Sequence, residues 1–196
     1  FFNWYESRFT NMSFYTPMAE RPQHSGPLHV KAAGAAGLVR SGDHVVLSGC
    51  GSAPLEFLAH LAMRRDLADV TVSHATAWGN LPYLHSLGRP EHLRFEAYFL
   101  PALARSLHRQ GQVDYIPLSF SDMARMYERG TLRADVVAFS CSTPDADGFC
   151  SLGPFVSYLP AAMKAAREVI AECSPRWPVT RGAARFPLSA ATAVVS

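Results

Sequence analysis

Two short stretches carry the residue types that could bind or react. The first is Ser48-Gly49-Cys50-Gly51-Ser52-Ala53-Pro54. Two glycines one residue apart, between a strand-like and a helix-like block, let backbone approach a ligand. They can also turn N–H groups toward an anion or a carbonyl oxygen. As a nucleotide motif the stretch is incomplete, because the third glycine of G-x-G-x-x-G is missing and no P-loop lysine follows. A tight strand-to-helix turn is the plainer reading of the same residues. Cys50, flanked by Ser48 and Ser52, also fits the nucleophile of a strand-turn-helix elbow, with His29, His44, His60 and His74 as candidate bases.

The second stretch covers residues 141–153 and holds Cys141, Ser142, Pro144, Asp145, Asp147, Gly148, Cys150, Ser151 and Gly153. Asp145 and Asp147 beside Gly148 suggest calcium, but the further oxygen ligands and the late glutamate of an EF-hand loop are missing. A Pro-Asp-x-Asp-Gly turn, with the aspartates accepting from backbone N–H groups, accounts for the same residues. The eight histidines form no H-x-x-x-H pair with a carboxylate neighbour, and the four cysteines form no C-x-x-C pair. No metal centre is expected on that basis. Four unevenly spaced cysteines do not make a disulfide scaffold either, so buried thiols in a reducing cytoplasm are the expectation.

The elements that must position these stretches alternate along the chain. Residues 28–40 have apolar positions at helical spacing. A β-branched strand follows at 44–48, then a helix from Pro54 to about Arg65 with proline in its first turn, and a strand at 70–74. Residues 95–100 form an apolar unit, 101–110 a helix closed by Gly111, and 113–116 a strand. Ser119 and Asp122 make an S-x-x-D cap for a helix ending at Gly130. A buried strand at 135–140 precedes the second loop, and a helix at 156–167 and a strand at 168–172 close the series. Strands alternating with helices imply an α/β fold: an open, mostly parallel, doubly wound sheet with helices on both faces.

With 196 residues, 48% hydrophobic and 17% charged, the chain can bury a substantial core. Its net charge is +2, scattered over 18 basic and 16 acidic residues, which leaves no electrostatic footprint for nucleic acid or an anionic membrane. No apolar run approaches the ~18 residues of a membrane-spanning helix. Residues 1–27 read as an arm and linker, with seven aromatics in the first 17 positions. The chain opens on Phe1 and ends at Ser196 in an apolar run, so it is expected to be a piece of something longer.

The two stretches together resemble the acetyl-CoA hydrolase/transferase family, which includes 4-hydroxybutyrate and succinyl-CoA:acetate CoA-transferases. The run from Ser41 through Pro54 is similar to that family's opening. Residues 111–117 (GQVDYIP), 119–123 (SFSDM) and 169–172 match in order, as does strand 135–140 followed by Pro144-Asp145-x-x-Gly148-Phe149-Cys150-Ser151-Leu152-Gly153. The last is the most specific. The resemblance implies a two-domain architecture with the active site between the domains. A glutamate of the second domain attacks the acyl-CoA thioester and becomes a glutamyl-CoA thioester, which passes CoA to a carboxylate or to water. Residues 28–180 would be the first of those domains, and 181–196 the start of the interdomain connection. Arg181 stands where the family has histidine, so no role is carried onto it.

On that resemblance no glutamate here inherits the nucleophile's role. Glu56, Glu128, Glu168 and Glu172 fall on helices or strand ends, where exposed or capping carboxylates are expected. Gly49, Cys50, Gly51, Ser52 and Pro54, with Ser142, Pro144, Gly148 and Ser151, are the expected wall of the substrate pocket. Coenzyme A would act as substrate, with no tightly bound cofactor. The partners would be an acyl-CoA, a small carboxylate, the second domain and a further copy of the chain. A different class is a non-catalytic binding or assembly module on the same fold. A sugar-phosphate isomerase-like enzyme would need a Lys or Arg cluster that is absent, Lys31 and Lys164 being the sole lysines.

Overall fold

A computed structural model describes residues 26–75, 92–182 and 184–196; the aromatic arm lies outside the described residues. Strands are β1 (Leu28–Val30), β2 (His44–Leu47), β3 (Val70–His74), β4 (Leu93–Ala97), β5 (Asp114–Tyr115), β6 (Val136–Ser142), β7 (Phe149–Ser151), β8 (Glu168–Ser174), β9 (Arg185–Pro187) and β10 (Ala193–Val195). Helices are α1 (Ala32–Ala36), α2 (Leu55–Met63), α3 (Ala102–Arg109), α4 (Phe120–Glu128) and α5 (Leu159–Ala165). Eight strands form one sheet in the order β1-β10-β8-β6-β2-β3-β4-β5, and every pairing in it is parallel. β7 and β9 form a separate antiparallel pair.

From β2 the chain runs outward through β3, β4 and β5. It then crosses back to lay β6 on the other side of β2 and continues outward through β8 and β10. The strand order therefore reverses between β2 and β6, which is where open parallel sheets leave a crevice at their carboxyl ends.

β2 and β6 are buried on both faces, and their side chains alternate between two cores, as the two-residue period of a strand requires. Val45, Leu47, Val136 and Ala138 pack with Phe57, Leu58 and Leu61 of α2 and Leu107 of α3. Val46, Val137, Phe139 and Cys141 pack with Met123 and Tyr127 of α4 and Leu159 and Met163 of α5. One face is mostly aliphatic; the other is rich in aromatics and sulfur. At the amino ends Arg167 donates to both oxygens of buried Asp43, at 3.2 and 2.9 Å, and the Asp135 carboxylate accepts from the His44 N–H at 2.8 Å. Polar bracing sits at one end of the sheet, and the long loops leave from the other.

Four expectations are corrected. Residues 28–40 do not form one helix, because Leu28–Val30 pairs as an edge strand with β10 and the helix covers only Ala32–Ala36. That pairing partner lies at the far end of the chain, where local periodicity cannot reveal it. The helix expected over 156–167 shrinks to Leu159–Ala165: Ser157 has φ 36°, Ala166 is extended, and the Arg167 N–H turns to Asp135 O at 2.8 Å. The 141–153 segment is not all loop, since β6 runs on to Ser142 and residues 149–151 pair with β9. Pro54 is the residue capping α2, in extended conformation, rather than a member of its first turn. Residues 181–196 supply β9 and also β10, which sits inside the sheet between β1 and β8.

Candidate functional site

The loop after β2 opens the crevice. Gly49 is required there by close approach: a Cβ on it would lie 2.6 Å from Cζ of Phe155. Cys50 adopts φ 56°, a left-handed conformation costly for a residue with a side chain. A Cβ on Gly51 would meet nothing within 4 Å, so its role is backbone access rather than clearance. The Ser52 N–H closes the turn on Gly49 O at 3.1 Å, and the Ser48 hydroxyl donates to Ser52 O. Strand β6 holds the far side. Ser140 donates its N–H to Ser52 O at 3.1 Å and its hydroxyl to Ala53 O at 3.2 Å. The Ser52 hydroxyl is buried and has no hydrogen-bond partner.

The helix that follows does not offer its amino end to a ligand. The Glu172 carboxylate, reaching from β8, accepts from the Phe57 N–H at 2.9 Å and the Glu56 N–H at 3.4 Å. The capping role expected of Glu172 is what the structure shows. Burial raises its pKa, partly opposed by those N–H groups.

The loop after β6 is bonded inward. Ser142 Oγ donates to Thr143 O at 2.9 Å and accepts from the Ser151 N–H at 2.8 Å. Ser151 Oγ accepts from the Gly153 N–H at 3.1 Å and the Thr180 N–H at 3.0 Å. Asp145 Oδ1 accepts from the N–H groups of Asp147 and Phe149, and Arg185 pairs with its Oδ2 at 2.7 Å, so the aspartate turn expected from sequence is the one that forms. Pro144 and Gly148 lie on the exposed side of that turn, Gly148 at φ +79°. The first loop meets the segment that follows the second where Phe155 lies against Gly49.

Sequence reasoning missed the aromatic wall that joins them. Phe155 contacts Tyr158 and Phe120 edge-on, at centroid distances of 5.7 and 5.9 Å, and Phe120 stacks on Phe99 at 4.9 Å. Tyr158 donates its hydroxyl to Leu47 O at 2.6 Å and accepts from the Ala75 N–H at 3.2 Å, which ties together the carboxyl ends of β2 and β3. Beside it His74 is wholly buried with its Nδ1 unpartnered, and burial lowers its pKa from 6.5 to about 4, leaving the ring neutral. An imidazole that resists protonation this strongly is a weak base, poorly suited to take the proton of the Cys50 thiol. The aromatics lie on different elements, so no local motif announces them.

A second grouping has no sequence signature at all. Cys141 on β6, Cys150 on β7 and Cys173 on β8 bring their sulfurs within 4.8 Å of one another. Hydrogen bonds from Cys141 and Cys150 draw the Cys173 thiol down, whereas hydrogen bonds to Cys150 and Cys173, with burial, push Cys141 up. Among the described residues no disulfide is formed.

The family model of the acetyl-CoA hydrolase/transferase N-terminal domain matches residues 23–190. A succinyl-CoA:acetate/propanoyl-CoA:succinate CoA transferase of Fasciola hepatica is 28% identical over 156 residues, covering 78% of this chain and 32% of the relative. A 4-hydroxybutyrate coenzyme A transferase of Clostridium kluyveri is 28% identical over 154 residues, 78% of this chain and 36% of that protein. The chain thus spans about a third of the length of these relatives. The crystal structure of RipA from Yersinia pestis superposes with a TM-score of 0.76 at 24% identity, covering 86% of this chain and 42% of that one, which supports the fold. With the match extending over residues 23–190, the chain belongs to the acetyl-CoA hydrolase/transferase family and carries its N-terminal domain.

Proposed function

We propose that this chain builds one wall of a site that moves CoA between an acyl-CoA thioester and a small carboxylate or water. The observation that carries the reading is the meeting of the first family-like loop with the segment that follows the second at the strand-order reversal, with Gly49 seated against Phe155. The Gly49-Cys50-Gly51-Ser52 backbone and Pro54 face the reacting acyl or carboxylate group, and the Phe99–Phe120–Phe155 wall lines its apolar side. Ser142 and Ser151 hold the second loop in place, with Pro144 and Gly148 shaping its turn. The nucleophile is a glutamate of a second domain, as the family resemblance implies, and Glu172 is committed to the amides of α2. Coenzyme A is a substrate, and the setting is acetate or other acyl-CoA metabolism in a reducing cytoplasm.

The test is a CoA-exchange assay on the 196-residue chain alone and mixed with a separately produced second domain of the same family. No turnover alone and measurable turnover in the mixture is the expected result. Robust turnover by the chain alone overturns the reading, and inactivity in both arms with retained acyl-CoA binding points instead to a non-catalytic module.

A further inference from the structure

Register places three thiols together. Cys141 and Cys173 are direct partners across the parallel β6–β8 pair, and their sulfurs are 3.5 Å apart. Cys150 enters from β7, whose neighbour Ser151 is bonded to the end of β6 through Ser142. All three sulfurs lie within 4.8 Å of one another. A tetrahedral centre with Zn–S bonds of about 2.3 Å separates its sulfurs by about 3.8 Å, so these spacings reach metal-site geometry with small side-chain rotations. We propose that Cys141, Cys150 and Cys173 form a three-thiolate site for a soft divalent cation of the zinc class.

The donor set and its burial select the ion. Three sulfurs with no oxygen donor among them disfavour magnesium and calcium, which take hard oxygen ligands. Cys141 and Cys150 are buried, so uncompensated charge is costly there. Three thiolates leave one net negative charge around a divalent ion and two around a monovalent one, so the divalent ion is favoured. Cys173 is partly exposed and gives the side from which the ion enters and a fourth ligand completes the shell. Each ligating thiol releases its proton to solvent, so binding is accompanied by proton release and tightens as pH rises. Because the ligands come from three strands, the ion clips the β7–β9 pair to the main sheet beneath the second loop. The site stands apart from the CoA-transfer reading and does not depend on it.

Anaerobic titration of the reduced protein with Cd2+, alone and after loading with Zn2+, tests the site through the ultraviolet thiolate-to-cadmium charge-transfer band. One Cd2+ per chain is expected, with proton release, displacement by Cd2+ of Zn2+ bound first, and a higher Tm in the loaded protein. The band should be lost in Cys173→Ser, the partly exposed position least expected to disturb folding, and in Cys150→Ala. It should be kept in Cys50→Ser, with far-ultraviolet circular dichroism verifying each fold. Absence of a band, or a band that survives Cys173→Ser in a folded protein, overturns the proposal.

Discussion

The loop after β2 and the loop after β6 leave neighbouring strands at the same edge of the sheet, yet they spend their polar groups differently. In the first, Cys50 sits at φ 56°, the Ser52 hydroxyl is buried without a partner, and Gly49 leaves just enough room for the Phe155 ring. Nearby His74 is buried with an unpartnered nitrogen. In the second, Ser142, Ser151, Asp145 and Thr180 close a web of internal hydrogen bonds that leaves out, among the buried side-chain groups of the described residues there, the Trp177 indole N–H packed over Gly153. Strain and unpaired polar atoms gather where binding is worth more than local stability. On the proposed function the first loop meets the ligand and the second holds the first in place.

His74 gives the largest expected break in that comparison. Its folded-state pKa of about 4 lies below the ordinary 6.5, so between those values the unfolded chain binds a proton that the folded chain refuses. The stability is present above pH 6.5 and is lost as pH falls toward 4, a gap of roughly 3 kcal/mol at most. Urea melts across that range should show the loss, and His74→Gln should flatten it; a slope unchanged in the variant contradicts the burial argument. Next comes Gly49→Ala. Phe155 is packed between Phe120 and Tyr158 and cannot step aside freely, so the added methyl should cost about 1–3 kcal/mol. Phe155→Leu should recover part of it in a double-mutant cycle, whereas additive effects would separate the two loops.

Much of this architecture could be read from local pattern. Asp122 N–H donating to Ser119, Gly111 at φ +70° after α3, and the buried β6 all follow from signals within a few residues. The glycine loop and the aspartate turn did so too, because their chemistry is local. What could not be read is what pairing across the chain creates. Leu28–Val30 looks helical until β10 lies beside it, 165 residues later in register. The Phe99–Phe120–Phe155 wall and the three thiols draw on separate elements, and strand register alone brings Cys141 opposite Cys173.

On the braced side, Ser151→Ala should leave the Gly153 and Thr180 N–H groups without their acceptor, at a cost of about 1–2 kcal/mol. Chemical denaturation should report that loss, and an unchanged midpoint would mean that the web is replaceable by water. The smallest effect belongs to Glu172, which joins the two sides by reaching from β8 to the amides of α2. Burial raises its folded-state pKa, so its contribution is fully present below the ordinary carboxylate value and is lost as pH rises through the raised one. Glu172→Gln keeps an acceptor for the Phe57 N–H and removes the buried charge, giving up a helix-end interaction of about 0.5–1 kcal/mol while sparing the burial cost. Near pH 7 these offset, and melts of the variant should fall within about 0.5 kcal/mol of the parent. A larger loss would show that the carboxylate charge, rather than its oxygen, holds α2 to the braced side of the sheet.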